Sequence, residues 1–454
     1  MRLYGISLAV SAAALLVAVS AAGQQAVFDL SDDLRRVPVP AVDRAALPAL
    51  VITGATMLDG KGARVPDAVV VIRGDRIVAA GRAGSVAMPP DVARTVDARG
   101  LFLMPGLIDL HVHLTSQRGA DFGRYPDSDA AAAIRATVLA GSLVRAGITT
   151  IRDPATTGDV ALRVKEAVAR GLIEGPRVFW SGAMIATTGG HGDEATSTAT
   201  GKWKPEVPNN RTYVANGAEG WSEAVRVQIR RQVDWIKVSA PFTREEIGAA
   251  VDEAHEHGLR VAIDSFGKYT DWAIEAGVDS VEHTLDMPKD EVSLLARHGT
   301  GFNPTLGAFR NLLVRGYPSA GIRPGAFFYT FSRRYGIDFA QNLGNVHAAW
   351  KAGVRIGVGT DIPFDTEELY PKAYFEELDY LHQAGLPNRA VLASATSVGA
   401  DILGMGDRLG SIAPGMIADM ILLAGDPEAD LKALGKPQAV VSGGRLLFGP
   451  RGTN

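Results

Sequence analysis

The chain has 454 residues, 46% of them hydrophobic and 21% charged, with a formal net charge of −4. That length allows one large barrel or two to three ordinary domains, and the balance is that of a soluble globular protein. No basic run of any length appears, which argues against a nucleic-acid partner; there is no cysteine, so disulfides are excluded and any bound metal must use His, Asp, Glu or Lys-derived ligands.

The chain opens MRLYGISLAVSAAALLVAVSAAGQQ, with Arg2 ahead of an apolar run to Val19 and then the small residues Ser20, Ala21 and Ala22. This reads as a secretory signal peptide over 1–23, cut after Ala22 or Gly23. A membrane anchor is the rival reading, but the run is alanine-rich and short for a span. The mature protein is therefore expected in the periplasm or outside the cell, with no membrane contact after cleavage. Residues 24–48 read as an N-terminal extension.

From 49 to 104 the sequence falls into short β-rich runs broken by Gly-Asp and Asp-Gly turn signals. The same texture returns over 404–454, so both ends are expected to build one small β-sandwich domain. Between them, over 105–403, eight β-branched runs alternate with amphipathic helical stretches: LIDLHVHL, ITTIRD, RVFWSG, DWIKVS, RVAID, SVEHT, GFNPT and RIGVGTD. Repeated strand–helix units with continuously apolar strands imply a parallel sheet covered on both faces. The fold class expected is α/β, a (β/α)8 TIM-like barrel, whose active site lies at the strand C-termini. The polar residues there are His111, His113, Asp153, Lys237, Asp264, His283 and Asp361.

His111 and His113 are two apart on one expected strand, so their side chains share a face and can grip one divalent ion. The words PGLIDLHVHL, AGITTIRD, TGGHGDE, DWIKVSA, AGVDSVEHT, AGVRIGVGTD and GSIAPGMIADMILLAGDP together resemble the amidohydrolase superfamily over nearly all of the mature chain. Within it the sequence is most similar to the metal-dependent dipeptidase and prolidase branch related to imidazolonepropionase. The resemblance implies two divalent metal ions, zinc by preference, held by His111, His113, Lys237, His283 and Asp361. It implies that Lys237 is carboxylated and bridges the ions, which suits a buried lysine with a depressed pKa. It also implies that Asp361 is the general base and that His191 meets the scissile carbonyl or a bound carboxylate.

Asp264 departs from the pattern. Relatives carry His in a phrase like VAxHAxG, whereas this chain reads VAIDSFG. Three readings stand: Asp264 is itself a metal ligand, since carboxylate oxygen also suits zinc or manganese; it pairs with a nearby cation or substrate amine; or the site has lost catalysis. The first is taken as the expectation. Arg211 and Tyr213, in RTYVANG, are candidates for a substrate carboxylate, Arg through a bidentate pair. The other histidines, and Arg152 and Asp153, read as structural.

The expected function is a secreted metal-dependent hydrolase of amide C–N bonds in dipeptides or N-acyl amino acids, using metal-activated hydroxide. A lactone, carbamate, phosphotriester or cyclic amidine hydrolase on the same site is an alternative, as is a binding protein weakened in catalysis by Asp264. The aromatic and basic stretch 310–339 is open to two readings, a substrate lid or a homo-oligomer contact.

Overall fold

The computed structural model describes residues 28–30, 38–40, 43–116, 128–193, 211–264, 266–283, 287, 289–311, 314, 338–361 and 371–449. The expected signal peptide and most of 310–339 lie outside the described residues. The fold is mixed α/β. One sheet draws on both ends of the chain, in the order Arg445–Phe448, Ala439–Ser442, Met420–Leu423, Phe102–Pro105, Ala49–Leu58, Arg64–Arg73 and Arg76–Arg82, with Val92–Asp97 pairing in parallel alongside Ala49–Leu58. Its apolar residues pack by alternation: Ile52, Val70, Ile72, Val96, Leu103 and Leu422 share one core, and Val51, Val69 and Val71 another.

The middle of the chain forms two parallel sheets. One has the order Arg177–Trp180, Ile148–Asp153, Leu107–Asp109; the other runs Thr212–Val214, Met184–Ala186, Trp235–Ser239, Arg260–Asp264, Ser280–Glu282, Gly301–Asn303. Backbone hydrogen bonds join the chain around one sheet to the chain around the other. Asp234 N donates to Trp180 O at 2.8 Å, and Leu110 N donates to Val358 O at 2.8 Å beside a parallel bridge between Phe302 and Ile356. Every residue of Ile148–Asp153, Trp235–Ser239 and Ser280–Glu282 is buried, as strands covered by helices on one face and packed on the other must be.

Two expectations about strands fail. The segment 355–361 is no regular strand and makes the single bridge at Ile356; Gly357 and Gly359 pack so closely on Asn303, Leu110 and His111 that neither position has room for a Cβ. Nor do His111 and His113 lie within a strand: it stops at Asp109. The Asp109 carboxylate accepts from His111 N at 3.1 Å, Thr360 N at 3.1 Å and Thr360 Oγ1 at 2.7 Å. It thus ties the end of the first strand to the turn that carries Asp361.

Candidate metal centre and active site

Strand register sets the level of the site. Ser239, Asp264, Glu282 and Asn303 are direct cross-strand partners, and Lys237 lies two residues earlier on the strand that carries Ser239. Two site residues then leave regular backbone geometry: His283 has φ 77° and Asp361 φ 54°. Left-handed conformations cost a non-glycine residue roughly 1–3 kcal/mol and persist only where surrounding contacts impose them. Here His283 N donates to Asn303 O at 2.9 Å and Asp361 N to His111 O at 2.7 Å.

Four imidazoles converge on two carboxylates here. Asp361 Oδ1 is 3.1 Å from His113 Nε2 and 3.5 Å from His111 Nε2, and Asp361 Oδ2 is 4.0 Å from His283 Nδ1. Asp264 Oδ2 lies 3.4 Å from His283 Nε2 and 3.2 Å from His191 Nε2. His111, His283 and Asp361 each offer one ligand atom within 4.8 Å of the others.

The proton inventory at this cluster asks for a cation. His113 Nδ1 faces the Ala155 carbonyl at 3.3 Å, and a carbonyl only accepts, so that nitrogen carries the ring's proton. His111 Nδ1 likewise faces the Glu282 carboxylate at 2.8 Å. Burial depresses the pKa of both rings, with His111 lowered to about 3 and Lys237's charge adding to the effect there. Neutral rings in that tautomer turn Nε2 lone pairs toward an acceptor-only carboxylate. Burial pushes the Asp361 and Asp264 carboxyls up, and both lie below the usual carboxylate range only if positive charge, on the surrounding imidazoles or on an ion among them, offsets it. Lone pairs facing a carboxylate at such distances are mutually repulsive unless a positive ion lies between them.

Lys237 completes the picture. Its side chain is buried and its Nζ has no hydrogen-bond partner. Burial lowers its pKa, against the charges of Asp264 and Glu282. A buried, unsatisfied amine is costly and is the atom that a bridging carbamate would use. The nitrogen and oxygen donor set fits a zinc-type or manganese-type ion.

The other expected residues divide. His191 reaches the cluster through Asp264, with its backbone held by Ala240 O at 3.2 Å and by the Ser239 hydroxyl at 3.0 Å. Arg211 is partly buried, and its charge bears on His113 and Asp153. Tyr213 instead packs against the hydrophobic core from a strand paired with Ile185. His255, His347 and His382 bond Asp279, Ala384 O and Leu386 O respectively, as expected for structural histidines.

Sequence reasoning missed the supports. Glu282 backs His111, Thr305 Oγ1 contacts His283 Nδ1 at 2.7 Å, and Arg152 bonds Glu282 at 2.5 Å. The adjacent Glu-His in SVEHT was the available signal: at a strand end, one residue can face the site while its neighbour backs another of the site's side chains.

A parallel α/β scaffold with imidazoles, carboxylates and a buried lysine converging beyond the strand C-termini is that of a metal-dependent hydrolase. The sequence pattern of the Amidohydrolase family matches residues 102–447; the chain belongs to that family and is a hydrolase acting on carbon–nitrogen bonds. It is 28% identical over 460 residues to ochratoxinase of Aspergillus niger, covering 93% of this chain and 91% of that protein. It is 25% identical over 440 residues to imidazolonepropionase of Symbiobacterium thermophilum, covering 88% and 97%. Among solved structures it is similar to a Xaa-Pro dipeptidase with methionine bound in its active site, with a TM-score of 0.78, 28% identity and coverage of 88% and 100%. Members of the family generally bind divalent metals, and the His111, His283 and Asp361 group can hold one.

Proposed function

We propose that this protein hydrolyses amide bonds of dipeptides or N-acyl amino acids with two divalent ions, zinc by preference. The observation that carries the reading is the pair of His111 and His113 lone pairs facing Asp361, with His283 close to Asp264, beside a Lys237 Nζ that has no hydrogen-bond partner. The resemblance to a Xaa-Pro dipeptidase and to ochratoxinase supports the amide class.

His111, His113, His283, Asp361 and Asp264 would hold the ions, and Lys237 is the residue that would be carboxylated to join them. Bound there, the ions supply Lewis-acid polarisation of the scissile carbonyl and acidify a water nucleophile. Asp361, ionised and ringed by imidazoles, takes the proton of the attacking water and delivers it to the leaving nitrogen. His191 donates to the carbonyl oxygen as charge develops there, and Asp264 fixes the orientation of its ring. Arg211, beside His113, is the candidate partner for a substrate carboxylate. Export fits such a role: residues 1–23 would act as a cleaved signal and the enzyme would work in the periplasm or outside the cell.

Purified protein supplied with zinc or manganese should release amine from a panel of dipeptides and N-acyl amino acids faster than it opens aryl esters or lactones. No amine release across the panel would overturn the proposal, and hydrolysis of the esters or lactones alone would redirect it. N-terminal sequencing of exported protein should begin near residue 23 or 24; an intact Met1 in the exported fraction would refute the cleaved signal.

A further inference from the structure

The three imidazoles of the candidate metal centre are held from behind in different ways. His113 Nδ1 meets a backbone carbonyl and His283 Nδ1 a threonine hydroxyl, but His111 Nδ1 meets the carboxylate of Glu282. Of the three partners, that one carries charge. Glu282 is completely buried, where an isolated carboxylate is prohibitively costly, and its partners account for both oxygens. Oε1 accepts from Arg152 at 2.5 Å, Ser280 Oγ at 2.7 Å and Asn303 Nδ2 at 3.1 Å; Oε2 accepts from His111 Nδ1 at 2.8 Å and Asn303 Nδ2 at 3.3 Å.

Arg152 is fixed in turn. It is fully buried, donates to Leu110 O at 2.8 Å and Ser280 Oγ at 3.0 Å, and lies 4.5 Å over the Trp235 ring. An ion pair serving stability alone needs one carboxylate oxygen facing the guanidinium. Here the second oxygen is turned to His111, and Glu282 and Asn303 lie on neighbouring parallel strands at the level of Asp264.

We propose that Glu282 is a positioning residue of the metal centre: clamped by Arg152, Ser280 and Asn303, its carboxylate fixes His111 in the tautomer that presents Nε2 as a ligand and strengthens that nitrogen as a donor. This rests on the reading of His111 as a metal ligand. Carboxylates behind metal-bound histidines characteristically act this way, and their loss costs about 10–100-fold in metal affinity.

The experiment is titration of metal-stripped protein with zinc against a competing chromophoric chelator, alongside thermal melting of the same metal-free samples. Two variants are needed, because Glu282→Gln leaves Arg152 buried without its carboxylate and lowers stability for that reason alone. In the double variant Glu282→Leu/Arg152→Met no buried charge remains unpaired, so melting should recover relative to Glu282→Gln. Both variants are expected to bind zinc at least about tenfold more weakly than wild type. Wild-type zinc affinity in the double variant would mean that Glu282 merely neutralises Arg152, and would overturn the inference. If the wild-type protein itself binds no zinc, the metal-centre reading falls and this inference with it, a result distinct from wild-type binding that the variants share.

Discussion

Asp361 stands where the imidazoles converge, in a backbone conformation that an L-residue adopts only under constraint. Asp361→Asn keeps its shape and removes both the negative charge and the base. It should lower kcat for amide hydrolysis by about 10²–10⁴-fold or more, while the metal-free protein still folds, as checked by circular dichroism. Activity within a few-fold of wild type would remove Asp361 from the chemistry. At this scale the sequence was informative wherever a residue type is improbable in its place. A histidine pair, a lysine and an aspartate closing apolar strands are costly there without a purpose, so His111, His113, Lys237, Asp264 and His283 could be named in advance. Tyr213 could not be placed, because alternation along a short strand leaves its face undecided, and it packs against the core. Glu282 was not singled out, and Arg152 was read as structural without its partner, for a different reason. Their meaning lies in partners more than 100 positions away, and nothing local shows which carboxylate a histidine will lean on.

Single elements hold the site through a few buried polar contacts, and these can be tested one by one. The helix Val160–Ala169 docks through Lys165, whose Nζ lies 2.7 Å from Asp234, both side chains being buried. Asp234 also accepts from Trp180 N at 3.0 Å, at the seam between the two parallel sheets. Lys165→Met strands a buried carboxylate, and unfolding by denaturant should show a loss of about 3–5 kcal/mol. The helix Lys372–Gln383 contributes Glu377, which accepts from Leu306 N at 2.8 Å and Gly307 N at 2.6 Å, in the turn that follows Thr305. Burial raises its pKa from 4.5 to about 8, with the charges of Asp109 and Asp361 adding and the two backbone donors opposing. Between those values the folded state keeps a proton that the unfolded chain releases, so this group's contribution to stability falls as pH rises through that window. In Glu377→Gln the decline in denaturation midpoint from pH 5 to pH 8 should be shallower than in wild type; an equal or steeper decline would contradict the assignment. Element boundaries were less legible than element order. The segment 355–361 looked like a strand from its β-branched residues, yet its glycines serve close approach to neighbouring chain, and the short strand Met184–Ala186 offered too few residues to show a period.

Across the whole molecule, the sheet built from both ends and the parallel sheets between them were legible because hydrophobic period and turn chemistry agree over long stretches. The level at which the strands meet was not. Register is a tertiary property, and it is register that brings Ser239, Asp264, Glu282 and Asn303 into one row and puts Lys237 beneath them. The unusual Asp264 gains its significance there, since its carboxylate lies between two imidazoles. On the proposed reading, this cluster is completed by metal. The direct measurement is metal content of the purified mature protein by plasma mass spectrometry, after growth in medium supplemented with zinc and manganese. About two divalent ions per chain are expected, falling in Asp361→Asn; folded protein carrying one ion or none would contradict the two-metal site.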